Sequence, residues 1–162
     1  MSRVYSTEKK HSIYQALLQN VPLILDQEKD LISIMSTVCC ELKAAFSYFD
    51  WVGFYRHSGN SLLKVGPYQG GHGCLSIQFD RGVCGKAASE RKTQIVDDVN
   101  LLPYHIACSS STVSEIVVPW VVGNRLIAVL DIDSDDKACF DQLDKEYLER
   151  LLSILGDAIN DE

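Results

Sequence analysis

The chain predicts an α+β domain. Three features carry this: segments of helical period at both ends, a run of short strand-like segments between them, and a Gly123-Asn124 pair that joins two apolar strands as a hairpin. At 162 residues with 46% hydrophobic content, the chain can close one substantial core and is too short for two comfortable domains. One domain over 1–162 is therefore expected, with helices in 1–47, sheet and site loops in 50–134, and a last helix in 141–160.

Over residues 8–25, Ile13, Leu17, Leu18 and Val21 recur at helical spacing until Pro22 bends or ends the helix. Asp26 is then the expected N-cap of a second helix over 28–46, whose apolar positions are Leu31, Ile34, Met35, Val38, Leu42 and Phe46. Cys39 and Cys40 fall inside it as packing or helix-edge thiols. The following WVGFY reads as a strand with Trp51, Gly53 and Tyr55 on one face and Val52 and Phe54 on the other. Two rings flanking a glycine leave a notch, which either receives a small apolar group between them or is covered by a second hydrophobic layer.

After a turn at 57–60, residues 62–68 form a second strand that ends in the loop QGGHG, with Cys74 immediately behind it on a flexible edge. The strand LSIQF leads to DRGVCGKAASER, where Gly82 and Gly85 bracket Cys84 at the start of a short helix. A helix N-terminus lowers a thiol pKa, which argues for reactivity at Cys84. GVCG lacks the glycine spacing of a dinucleotide or P-loop cradle, so no nucleotide site is read.

Residues 93–96 make a short strand, and 97–111 a long connection, DDVNLLPYHIACSSS, of a length more often functional than not. Cys108 lies in its serine-rich turn, ahead of a strand carrying Glu115; it is either an accessible, reactive thiol or a small buried one. The strands EIVVPWVV and RLIAVLDID follow. On the second, Ile127, Val129, Asp131 and Asp133 share one face, with Ala128, Leu130 and Ile132 on the other. Two neighbouring carboxylates raise one another's pKa and can hold a proton near neutral pH or grip an ammonium group; the alternative is a solvated strand end. The last helix is capped by Asp141, with Asp144 three residues on, and has Leu143, Tyr147, Leu151, Ile154, Leu155 and Ala158 as its apolar face. Cys139 precedes the cap in an exposed-looking turn.

A net charge of −7 without a Lys/Arg cluster argues against nucleic acid and against anionic membranes. The first residues lack the apolar run of a secretory signal and no later run is long enough to span a bilayer, so a soluble, cytoplasmic protein is expected. None of the six cysteines has the CxxC or CxH spacing of a structural zinc site, and no metal is expected. A static disulfide framework does not suit a reducing compartment, which leaves buried thiols and reactive ones.

In order along the chain, WVGFY, VGPYQG, GVCGKAA, TQIVDDV, HIAC, SEIVVP and LDIDS resemble the free methionine-(R)-sulfoxide reductases, a family of single GAF domains. The resemblance implies a GAF-like fold: a central antiparallel sheet of about six strands, the N- and C-terminal helices on one face and a pocket under loops on the other. It implies thiol-dependent reduction of free methionine (R)-sulfoxide, with Cys108 attacking sulfur and its sulfenic acid resolved as a disulfide by Cys74 or Cys84. The glycine-flanked loop favours Cys74 as first resolving thiol, with Cys84 as relay or substitute. By the same resemblance Trp51 packs on the substrate methyl, joined on its face by Tyr55. Glu115, Asp131 and Asp133 divide oxygen activation and ammonium recognition. A thioredoxin-type reductant is implied, with no cofactor, and a homodimer is a further expectation. Ser109, Tyr104, Tyr68 and the pair His72-Gly73 depart from the family pattern. The competing readings are a non-catalytic GAF module for a small ligand and a thiol redox sensor.

Overall fold

A computed structural model describes residues 3–104 and 108–160. The first helix, α1 (Thr7–Leu25), starts at Ser6, whose hydroxyl accepts from the Lys9 amide at 3.3 Å. Pro22 neither bends it out of register nor ends it: proline falls in the last turn, and its carbonyl still accepts from the Asp26 amide at 3.1 Å. Asp26 closes α1 in the left-handed region at φ 43° instead of opening the next helix. The N-cap of α2 (Leu31–Ala45) is Asp30, which accepts from the Ser33 amide at 2.8 Å, so α2 starts later than its pattern suggested.

The strands are β1 (Trp51–His57), β2 (Leu62–Gln69), β3 (Ser76–Gln78), β4 (Gln94–Val96), β5 (Ser114–Val122) and β6 (Arg125–Ser134). All pair antiparallel in the order β3-β2-β1-β6-β5-β4. Between β3 and β4 runs α3 (Gly82–Glu90), and a 3-10 turn (Val99–Leu101) follows β4. The sheet divides two cores. On one face α1, α2 and α4 (Gln142–Asn160) cover Val52, Phe54, Ile116, Val118, Leu130 and Ile132. On the other, α3 packs Val83, Ala87 and Ala88 against Tyr55, Val117 and Val129.

Strand alternation fails at a bulge between β5 and β6. Trp120 pairs with Ala128 but Val121 pairs with Leu126, which leaves Ile127 as the extra residue of a bulge. Ile127 therefore turns to the helix side, and Leu126 takes the place expected for it beside Val129. A second bulge sets Gly66 and Pro67 opposite Phe54, where a residue without an amide hydrogen costs no ladder bond.

In α4, Asp141 accepts from the Leu143 and Asp144 amides at 2.9 and 3.2 Å, as a cap should. The buried stripe is rotated from the expected one: Leu148, Leu151, Leu152 and Leu155 go inside, while Ala158 is exposed. The cause is Asp144, fully buried at the head of the stripe. It takes a 2.6 Å ion pair from Lys10 and a 2.8 Å hydrogen bond from the Tyr14 hydroxyl, both on α1. Cys139 is also buried, against expectation, its thiol donating to the Ser134 hydroxyl at 3.1 Å. Cys39 is buried and Cys40 exposed on α2. Among the described residues no helix is long and apolar enough to cross a membrane.

Candidate active site

Register builds the floor of the site. On the face away from the long helices, Trp51, Asp133 and Glu115 form one row across β1, β6 and β5. Gly53, Asp131 and Val117 form the next row, and Tyr55 and Val129 lie beyond. Of these, Trp51, Tyr55, Glu115, Asp131 and Asp133 line a cavity roofed by the start of α3 and by the loops around His72 and Cys108. Within it stand Trp51, Tyr55, Cys84, Cys108, Glu115, Asp131 and Asp133. Cys74 joins them through a disulfide to Cys108, 34 positions further along the chain, with Cα atoms 5.2 Å apart. That bond links the loop before β3 to the loop after β4, and so the two edges of the sheet. His105, Ile106 and Ala107 of the HIAC motif lie outside the described residues.

The notch expected over Gly53 is closed. The Trp51 indole folds across the glycine, donates its N–H to the Gly71 carbonyl at 2.8 Å and stacks on Tyr55 at 5.7 Å between centroids. Tyr68 stacks on Trp51 at 5.3 Å. A side chain at position 53 would lie 2.5 Å from the Tyr68 Cβ, and one at Gly73 would lie 2.8 Å from the Tyr55 hydroxyl oxygen. Both glycines are thus spaces in which aromatic walls sit. The two rings form one continuous wall of the cavity rather than two jaws.

The acids are crowded. Glu115 and Asp131 are buried, and Asp133, half-buried, accepts from the Thr112 hydroxyl at 3.2 Å. Burial first, then the Asp131 and Asp133 charges, push the Glu115 carboxyl well above the usual range. Burial and Asp131 do the same to Asp133. Asp131 is raised less, to about 6, by burial opposed by hydrogen bonds with Cys84 and Glu115. Cys84, 4% exposed with its sulfur 4.0 Å from Glu115, departs from expectation. Burial, then Asp131 and Glu115, push its thiol up, outweighing any lowering by the α3 N-terminus.

His72, Arg81, Ser109 and Thr112 also line the cavity, and sequence reasoning gave none of them a role there. Arg81 occupies the N-cap of α3 without a side-chain capping bond, so the first amides of the helix are left for another acceptor. The DRG string just ahead of the GVCG helix was the available signal.

A thiol pair that forms a disulfide beside buried acids, on this sheet and helix arrangement, defines a redox-active GAF domain. Residues 26–160 match the GAF domain family. The chain is 41% identical over 150 residues to GAF domain-containing protein A of Dictyostelium discoideum, covering 93% of this chain and 94% of that protein. It is 39% identical over 158 residues to the free methionine-R-sulfoxide reductase of Saccharomyces cerevisiae, covering 93% of this chain and 88% of that protein. The X-ray structure of free methionine-R-sulfoxide reductase from Neisseria meningitidis in complex with its substrate superposes with a TM-score of 0.88 at 40% identity, over 96% of this chain and 92% of that one. The chain belongs to the free methionine-(R)-sulfoxide reductases, oxidoreductases built on the GAF fold.

Proposed function

We propose that this protein reduces free methionine (R)-sulfoxide to methionine, with Cys108 as nucleophile and Cys74 as resolving thiol. The observation that carries the assignment is the Cys74–Cys108 disulfide at a cavity holding the Trp51/Tyr55 wall and the acidic trio. The Cys108 sulfur attacks the sulfoxide sulfur while the oxygen takes a proton; that oxygen is transferred to Cys108 as a sulfenic acid and methionine leaves. The Cys74 thiol then displaces the hydroxyl, giving the disulfide and water. An external dithiol of the thioredoxin type reduces the disulfide and is itself oxidised, and the cycle calls on no bound cofactor.

The three carboxyls are all pushed above the ordinary carboxylate range, by burial first, so the trio as a group keeps a proton to give to the departing oxygen. Asp131, whose Oδ1 has no hydrogen-bond partner, is the oxygen offered to the substrate ammonium. The uncapped amides of α3, with Arg81 among the lining residues, suit the substrate carboxylate. Recognition of both charged ends selects the free amino acid over a residue inside a chain. Cys39, Cys40 and Cys139 remain unpaired thiols, in keeping with the reducing cytoplasm.

The test is incubation with free methionine (R)- and (S)-sulfoxide in dithiothreitol, with methionine as readout. Methionine is expected from the (R) isomer alone; consumption of neither overturns the assignment.

A further inference from the structure

The cavity contains a second chemistry besides sulfoxide reduction. The Cys84 sulfur and one oxygen each of Glu115 and Asp131 lie within 4.8 Å of one another, and all three residues are buried. Oδ1 of Asp131 has no hydrogen-bond partner, although the residue is 5% exposed and lines the cavity. A buried, unpartnered carboxylate oxygen beside a second carboxylate and a sulfur is a set of donors suited to a cation. The substrate ammonium answers that need with one positive charge; a divalent ion answers it with two.

The geometry points to a divalent metal site, of the Zn²⁺ and Co²⁺ class, formed by Cys84, Glu115 and Asp131. The donor set decides the class. A thiolate selects against Mg²⁺ and Ca²⁺, which prefer all-oxygen shells, whereas one sulfur and two carboxylates suit Zn²⁺. Bond lengths of about 2.0–2.3 Å place tetrahedral zinc ligands roughly 3.3–3.8 Å apart. Drawing the three atoms together therefore takes side-chain shifts of about 1 Å. The cavity encloses about 40 Å³, room for the ion and a water as fourth ligand. Coordination displaces the Cys84 proton and any proton on the carboxylates into solvent, so the site tightens as pH rises. The ligands come from α3, β5 and β6, far apart in sequence, which is why no CxxC or CxH spacing announces them. An ion held there occupies the groups that the proposed function gives to the substrate, and it shuts the pocket.

Cobalt binding to the disulfide form tests this without turnover, because Cys74 and Cys108 are then unavailable as ligands. On titration with Co²⁺, the wild-type protein is expected to develop a near-ultraviolet sulfur-to-cobalt absorption band that saturates at one equivalent and is bleached by Zn²⁺. Cys84→Ser is expected to abolish the band. Asp131→Asn, which keeps every thiol, is expected to weaken binding at least tenfold. Absence of the band in the wild type overturns the site, as does a band that survives Cys84→Ser or binding unaffected by Asp131→Asn.

Discussion

Glu115 and Asp133 face each other as register partners across β5 and β6, two carboxylates on the floor of one cavity. Like charges directly opposite on neighbouring strands repel, and Glu115 is buried where little solvent can screen it. The folded protein therefore retains protons that the unfolded chain releases. Its acid cluster stabilises most at low pH and loses that contribution as pH rises, from about 4 through about 6 for Asp131 and higher for its partners. Thermal unfolding of the ligand-free protein should show stability falling between pH 5 and pH 8. Glu115→Gln should flatten the slope and stabilise the protein at pH 8 by on the order of 1–3 kcal/mol, while abolishing sulfoxide reduction. An unchanged slope in that variant would mean that the trio carries its charges unpaid.

Removal of Cys74, the proposed resolving thiol, separates the two chemical steps. Cys74→Ser should still release one methionine per protein in a single turnover, then stall with Cys108 as a sulfenic acid. Dimedone labelling followed by mass spectrometry reads this directly. Cys84→Ser, by contrast, should still lose two thiols per turnover, since Cys74 and Cys108 remain to pair. A wild-type-like thiol loss in Cys74→Ser would transfer the resolving role to Cys84.

Lys10 is 2% exposed and holds Asp144 at 2.6 Å and the Cys139 carbonyl at 3.1 Å. Lys10→Ala leaves a buried carboxylate without its cation and should cost about 3–5 kcal/mol in denaturant unfolding. The paired change Lys10→Met with Asp144→Leu removes both charges and should recover most of that loss. Catalysis should follow stability only, because the pair lies on the helix side of the sheet.

Gly53→Ala places a methyl group where the Trp51 ring and the Tyr68 Cβ already sit. The ring has to leave its stack on Tyr55, with an overpacking cost of about 1–3 kcal/mol. Substrate affinity should fall with a matching change in tryptophan fluorescence, both measurable by titration with methionine sulfoxide. Trp120, buried in the helix-side core, should contribute an unchanged background.

Much of the site is local in origin and was legible as such. Alternation in WVGFY and LDID assigned Trp51, Tyr55, Asp131 and Asp133 to their faces, because a strand's period does not depend on its neighbours. The six antiparallel strands with the long helices on one face also agree with the expected GAF arrangement. What escaped was decided between elements. Ile127 changes face because β5 shifts register beside it, which nothing within RLIAVLDID encodes. Asp26 and Asp30 are equally good caps by type, and the left-handed turn at Asp26 and Gln27 chose the second. For Cys84, the local effect of a helix start was outweighed by burial against acids from β5 and β6. Asp144 could be recognised as part of a cap but not as the buried partner of a lysine 134 positions away.

The disulfide joins loops from opposite margins of an open sheet, and so buckles a strap across the pocket face. In the proposed cycle each turnover fastens this strap, and an external reductant undoes it. A spent molecule is thereby barred from engaging fresh oxidised substrate until electrons are on hand. The sulfenic acid, the species most open to further oxidation, is consumed in the same stroke that fastens the strap. On that cycle the protein is a turnstile in its stoichiometry: one sulfoxide for each pair of electrons.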